Sequence, residues 1–482
     1  AVHSLMPSHL ERLPWAGHLG LKLVDQVVDV IRNHGSTLIF TNTRSQSEIW
    51  YHKLLESAPD LAGTLALHHS SIAKELRDWV ETALHEGELQ AVVCTSSLDL
   101  GVDFRPVEAV VQIGGPKGVA RFKQRAGRSG HSPHATSKVY FLPTHGLELI
   151  EAAALRDSIE NERIEQRDPL IRSFDVLIQF LCTLAVGDGF DALETEKMVQ
   201  STHAFAMVEK DEFLWCMQFV CNGGESLAAY EEYKRVTVDD ESGRYVLRDR
   251  RQARRHRMSI GTIVSDQMIK VKWKTGGFIG HVEEYFVASM EPGDCFWFAG
   301  MSLEFLRIKE SIVQVKRSKK PKGRVPVYLG GRLSLSSELG HALRDELDAF
   351  GRGHIRSPEM ARVSPLLELQ QQMSELPFQD EILVEQFQTD DGHHLCFYPF
   401  EGRGVHQALG MLMAYRWSQF RPLSISISCN DYGFELLSDD PLILDEVISL
   451  NLLSNNNLMS DIQSGVNAAE MARRRFRDIA VI

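Results

Sequence analysis

Five short apolar runs that end in polar residues constrain this chain most: "STLIFTNT", "GTLALHHS", "LQAVVCTSS", "VEAVVQIGG" and "SKVYFLPT". Amphipathic stretches separate them. "RSQSEIWYHKLLESA" carries helical spacing through Ile49, Leu54 and Leu55, and "IAKELRDWVETALHEG" reads as a helix closed by Gly87. Buried apolar strands alternating with such helices predict a parallel sheet covered on both faces. In sheets of this kind ligands gather at the carboxyl ends of the strands. "TNTR", "HHSS", "TSSLDLGVD" and "QRAGRSGH" all fall at those ends or just beyond.

"QRAGRSGH", Gln124 to His131, packs two arginines and two glycines into eight residues and reads as a loop after a strand-like run. Phosphoryl transfer is mostly positioning and charge stabilisation, and an arginine from across a cleft can neutralise charge developing on a γ-phosphate. Such a loop needs glycines so that backbone can approach closely. Arg125 and Arg128 beside Gly127 and Gly130 meet that need, and Gln124 can orient by hydrogen bonding. Upstream, Thr95 can bond a nucleic-acid phosphate, and Gly101 and Asp103 stand on a turn where a carboxylate can accept from ribose hydroxyls.

Beyond this region the pattern changes. Residues 168 to about 235 read as helices, and "KRVTVDDESGRYVLRD" places a hairpin turn at "DDESG", which together describe a winged helix. From "SIGTIVS" to "VPVYLGG" the chain is strand-like with Gly-rich turns, a small barrel or curled sheet. Residues 336 to 376 look helical, and the remainder mixes strands such as "ISISCNDYGFELLS" with the helix "GVHQALGMLMAYRWSQ". The expected domains are 1–160 (α/β lobe with a parallel sheet), 161–255 (winged helix), 256–335 (small β-barrel-like domain) and 336–482 (helical and α+β C-terminal domain).

A net charge of -13 argues at first against nucleic acid, but the positive charge is clustered. "RDRRQARRHR" and "KRSKKPKGR" are dense basic runs in mid-chain, and two of them suggest a face that tracks phosphates. Arg250, Arg251, Arg254 and Arg255 are the candidates in the first run. No run of 18 apolar residues suggests a membrane span. The seven cysteines are scattered without zinc spacing, as expected of reduced thiols in a cytoplasmic protein, and no metal site is expected.

In order and together, these pieces resemble the second RecA-like lobe of superfamily 2 helicases. "TLIFTNTR" is similar to motif IV, "VVCTSSLDLGVDF" to motif V and "QRAGRSGH" to motif VI. With "LPWAGHLG", "HHSS", "YPFEGRGVHQALGMLMAYR" and "NDYGFELLS", the fuller pattern resembles Lhr-type (large helicase-related) DEXH-box helicases, and within them the bacterial ligase-associated group. The resemblance implies an ATP-dependent 3′-to-5′ translocase or helicase acting on single-stranded DNA, or on an RNA–DNA hybrid, in DNA repair, with ligase or nuclease partners. It implies that Arg128 is the leading arginine finger, Arg125 the second, and Gln124 a nucleotide-side contact. Gly101, Asp103 and Gly127 would lie near the nucleotide. Thr41, Arg44, His69 and Thr95 would touch the DNA backbone, and Tyr328 would stand where a base-stacking tryptophan is expected. Motif VI departs from the common pattern by ending in His131, which leaves Arg128 as the single arginine after the glycine.

A motor of this type also needs a G-x-x-x-x-G-K-[ST] phosphate loop and a magnesium-holding D-E-x-H, and neither occurs in the chain. "GGPKGVA" lacks the spacing, and "DELD" at Asp345 reads as an exposed acidic helix. Both parts belong to a first RecA-like lobe, expected to precede residue 1, which would bind most of the ATP and Mg2+. This segment alone is therefore expected to be inactive as an ATPase. The rival reading is a non-catalytic nucleic-acid-binding or adaptor protein that keeps only the second lobe. A separate metal hydrolase built on "HHSS" lacks a carboxylate at metal spacing.

Overall fold

The computed structural model describes residues 2–7, 20–99, 107–130, 137–166, 168–224, 229–258, 261, 268–309, 312–318, 323–326 and 333–468. It divides into two compact units, residues 1–165 with 266–465, and residues 166–265 with 466–482. Among the described residues no helix is long and apolar enough to cross a membrane.

The first unit opens on a six-stranded sheet: β1 (Val2–Ser4), β2 (Thr37–Phe40), β3 (Leu65–His68), β4 (Ala91–Cys94), β5 (Ala109–Ile113) and β6 (Val139–Leu142). Its order is β1-β6-β5-β2-β4-β3, and every pairing is parallel. Alternate strand residues go to opposite cores. Leu38, Phe40, Val92, Cys94 and Val110 join one, while Ile39, Ala91, Val93, Val111 and Ile113 join the other. Both faces being buried explains why these strands read as unbroken apolar runs. Helices α1 (Val24–Arg32), α2 (Arg44–Ser57), α3 (Lys74–Glu86), α4 (Val119–Ala126) and α5 (Leu147–Glu160) cover them. Thr43 caps α2 by accepting from the Gln46 amide at 3.1 Å. Gly87, at φ 78°, ends α3 in the left-handed turn that favours glycine.

A five-stranded sheet follows, with β9 (Met268–Trp273), β10 (Phe278–Glu283), β11 (Cys295–Phe298), β12 (Met301–Lys309) and β13 (Ile312–Arg317) in the order β10-β9-β13-β12-β11. It has its own core around Val271, Phe296 and Val313, and it is stitched to the first sheet's loops. Ala73 donates to the Ile279 carbonyl at 3.0 Å, and His281 donates to the Ser71 carbonyl at 2.9 Å. Between them sits Gly280, where a Cβ would lie 2.2 Å from the Ser71 carbonyl oxygen and 2.8 Å from the Phe298 ring. Gly280→Ala must therefore part this seam, at a cost of about 1–3 kcal/mol. Thermal unfolding of the full-length variant should shift down accordingly, and an unchanged midpoint would mean the seam does not hold the two sheets together.

The C-terminal part of this unit contributes the helices Ser337–Gly351 and Pro358–Met373, which pack on α5 and share a core with it through Leu339, Leu343, Met360 and Val363. Asp345 pairs with Arg163 at 2.8 Å. The adjoining Glu346 is buried, so "DELD" is a half-buried helix face and not the exposed acidic helix expected from sequence. Strands β14 (Leu383–Thr389), β15 (Gly392–Tyr398), β16 (Ser426–Cys429) and β17 (Phe434–Ser438) form an antiparallel sheet in the order β14-β15-β17-β16. The helix Arg403–Ser418 packs against it.

The second unit contains α6 (Phe174–Val186), α7 (Ala192–Gln200), α8 (Lys210–Asn222) and the hairpin β7 (Val236–Val238) with β8 (Tyr245–Leu247). Leu177, Leu181, Phe213, Cys216 and Val236 fill its core. The first basic run forms a helix, Arg250–Met258. His256 turns inward, its Nε2 2.9 Å from Thr183 Oγ1, while Arg250, Arg251, Arg254 and Arg255 are exposed.

Candidate nucleotide-facing site

Gln124 to Ala126 are not in a loop. They form the last turn of α4, and the chain leaves the helix only at Gly127. The helix end brings three motif residues to one partner, Asp99, in the turn after β4. Arg125 Nε and Nη2 grip the Asp99 carboxylate at 2.8 and 3.2 Å, and Arg125 Nη1 donates to Gln112 Oε1 at 2.6 Å. Its guanidinium also lies 4.7 Å from the centroid of the Phe40 ring. Gln124 Nε2 and Arg128 Nη2 donate to the main-chain carbonyl of Asp99 at 3.0 and 2.7 Å.

The two arginines thus have different surroundings. Arg125 is 2% exposed and spends its donors inside the lobe. Three of its N–H groups are engaged by Asp99 and Gln112, so in this chain Arg125 acts as a buried tie within the lobe. Arg128 is only half-buried, and its backbone is fixed: Val107 donates to its carbonyl at 3.1 Å. Gly127 is exposed at the helix end. Gly130 has φ 78°, a conformation L side chains rarely adopt. Gly101, Asp103 and His131 lie outside the described residues.

The expected DNA-facing set separates as well. Thr41 is fully buried, and its hydroxyl donates to the Thr43 and Cys94 carbonyls at 3.1 and 3.3 Å, so its side chain does not reach a backbone phosphate here. His69 is also fully buried. Its Nε2 sits 3.1 Å from Glu48 Oε1, and the Glu48 carboxylate accepts from the Ala299 and Gly300 amides at 2.5 and 2.9 Å. His69 is therefore part of the joint with the five-stranded sheet. The preceding His68 bonds Ser97 Oγ at 2.8 Å and Glu81 at 3.1 Å, and burial lowers its pKa to about 4. Arg44 is half-buried and donates to Ser71 Oγ at 2.9 Å. Thr95 is nearly buried at the mouth of β4. Tyr328 lies outside the described residues. In the second basic run Lys316 pairs with Glu304 at 2.8 Å, and Arg324 donates to Ser289.

Sequence reasoning missed Asp99 and Glu48. Asp99 had a signal, an acid inside "TSSLDLGVD". Glu48 acts through Ala299 and Gly300, partners too distant in sequence to suggest a role.

Residues 21–132 match the helicase conserved C-terminal domain, residues 157–325 the winged helix domain of large helicase-related proteins, and residues 376–482 the DEAD/H associated region. The ATP-dependent helicase Lhr-Core protein 2 of Thermococcus barophilus is 29% identical over 479 residues, covering 96% of this chain and 56% of that protein. The chain is thus similar to Lhr helicases along nearly its whole length. The Lhr-Core helicase of Methanocaldococcus jannaschii is 26% identical, covering 95% of this chain and 54% of the relative. The chain spans about half the length of these curated relatives. The solved structure of Mycobacterium smegmatis helicase Lhr bound to ssDNA and AMP-PNP aligns over 100% of this chain and 59% of its own, with a TM-score of 0.73 and 22% identity, a likeness of fold. The Asp99 cluster lies within the residues that match the helicase conserved C-terminal domain, and the exposed arginines of Arg250–Met258 lie within the winged-helix match.

Proposed function

We propose that this chain is the arginine-finger and strand-gripping portion of an ATP-dependent 3′-to-5′ DNA translocase of the Lhr family, working in DNA repair. The observation that carries the reading is the convergence of Gln124, Arg125 and Arg128 on Asp99, in which Arg125 is buried and Arg128 is half-exposed. Arg125 holds Asp99, and the Asp99 carbonyl holds Arg128, so the guanidinium is oriented before any nucleotide arrives. Preorganised charge of this kind is what phosphoryl transfer asks of an enzyme. ATP with Mg2+ would be bound mainly by the phosphate loop and D-E-x-H of a first RecA-like lobe, motifs that this sequence does not contain. Arg128, with Gln124 beside it, would face the γ-phosphate from this lobe.

Single-stranded DNA is the proposed track, in keeping with the ssDNA in the M. smegmatis Lhr structure. The exposed arginines of the winged-helix unit would contact its phosphates, and the five-stranded sheet would serve as a small barrel along the strand. Replacing Arg250, Arg251, Arg254 and Arg255 by glutamine should weaken DNA binding and flatten its salt dependence by about 0.7 in log–log slope for each phosphate that is no longer neutralised. An unchanged slope would make that helix an ordinary solvated surface. The experiment that tests the whole reading is ATP hydrolysis by the full-length protein, wild type and Arg128→Ala, with and without single-stranded DNA. Loss of DNA-stimulated turnover with DNA binding retained supports it, and undiminished turnover overturns it.

A further inference from the structure

We infer that Glu165 is a positioning residue for the arginine-bearing helix α4 and ties that helix to the C-terminal part of the chain, an inference that rests on Arg128 as the ATP-facing group. Helix α4 has eight residues, and its N-cap position is Gly118, which has no side chain to offer the first amides. Glu165 does the capping from beyond the end of α5. Its two carboxylate oxygens accept from the Val119 and Ala120 amides at 2.5 and 2.7 Å. A carboxylate at this end of a helix is favoured both by charge-assisted hydrogen bonds and by the helix dipole.

The same carboxylate is held from the far side. Ser336 Oγ, just ahead of the helix Ser337–Gly351, donates to Glu165 Oε1 at 2.8 Å. The Ser336 amide donates to the Lys117 carbonyl at 2.9 Å. Lys117 reaches on to Asp431 at 3.1 Å and to the buried Glu151 at 3.5 Å. Asp431 in turn accepts from the Leu335 amide at 3.1 Å. Thus Lys117 and the first turn of α4 are gripped by groups far along the chain, all in one compact unit. Close packing leaves no slack: a Cβ on Gly118 would lie 2.8 Å from Glu165 Oε1. Because α4 is about two turns long, a displaced first turn moves the end that carries Gln124, Arg125 and the connection to Arg128. Misplacing a catalytic group by about 1 Å can cost on the order of a hundredfold in rate.

The test is steady-state ATP turnover by the full-length protein at saturating single-stranded DNA, comparing Glu165→Ala, Glu165→Gln and Gly118→Ala with Arg128→Ala. Glu165→Ala and Gly118→Ala should lower kcat roughly ten- to a hundredfold, with KM for ATP and DNA affinity within about twofold of wild type, since only transition-state interactions are weakened. Glu165→Gln keeps one carbonyl acceptor and should fall between them and wild type. Should Glu165→Ala fail to fold, Glu165→Gln and Gly118→Ala decide the matter. If Arg128→Ala abolishes turnover while these variants keep wild-type kcat, the positioning role is overturned and the arginine reading survives. A fall in kcat matched by an equal fall in DNA affinity overturns it too, since that pattern marks general damage. If Arg128→Ala itself leaves turnover intact, the functional reading fails with it.

Discussion

Arg125→Ala is expected to destabilise the protein by about 3–5 kcal/mol, the usual cost of breaking a buried ion pair from one side. The substitution strips both guanidinium bonds from a carboxylate on Asp99 that is itself only 7% exposed, leaves Gln112 Oε1 without its donor, and opens a void against Phe40. Native stabilities of roughly 5–15 kcal/mol make this a large fraction of the total. Arg125→Lys should recover little, because an ammonium cannot span the Asp99 oxygens and Gln112 together. The check is thermal and urea unfolding of Arg125→Ala, Asp99→Ala and the double variant in the full-length protein. The double variant should be less damaged than the sum of the singles, since deleting Asp99 removes a buried carboxylate that would keep only the 4.0 Å contact with Arg121. Additive losses, or a single-variant cost below about 1 kcal/mol, would mean the Asp99–Arg125 pair is not the hub of this cluster.

The parallel sheet was legible because its strands lie between two cores, so "AVVC" or "TLIF" is buried at every position and reads as an apolar run. Strand β1 was not, since three residues gain their strand character only by pairing Val2 with Val139, far along the chain. The helix Arg250–Met258 was hidden by its charge: only His256 is buried on it, too little to write an amphipathic stripe. The motifs named the site's ingredients, but burial assigned their roles, and burial is not local. Arg125 and Arg128 are three residues apart, yet one ends the helix over Phe40 while the other follows Gly127 toward the surface. His69 looked like a polar residue at a strand end because the element that seals it, through Glu48 to Ala299, comes 251 residues after Glu48 in sequence.

Arg128→Ala should lower ATP turnover of the full-length protein by about 10³–10⁵-fold, the range that an arginine finger supplies. Stability should fall by less than on loss of the buried Arg125, because the Arg128 side chain is half-exposed and the bond it gives Asp99 is to a neutral carbonyl that bonds Gln124 as well. That contrast with Arg125 is what makes the pair informative. An arginine that acts on the transition state lowers kcat with KM for ATP nearly unchanged, whereas a buried tie lowers the folded fraction first and turnover only as a consequence. Arg128→Lys should also be impaired, since a point charge on a flexible stem cannot reproduce a planar guanidinium oriented by the Asp99 carbonyl. Single-stranded DNA affinity should stay within about twofold, because binding is carried by phosphate contacts elsewhere. The measurement is kcat and KM at saturating DNA alongside the melting temperature for both arginine variants. Turnover within a few-fold of wild type in well-folded Arg128→Ala would remove Arg128 from the finger role, and His131 departing from arginine would then leave motif VI of this chain with no arginine to supply one.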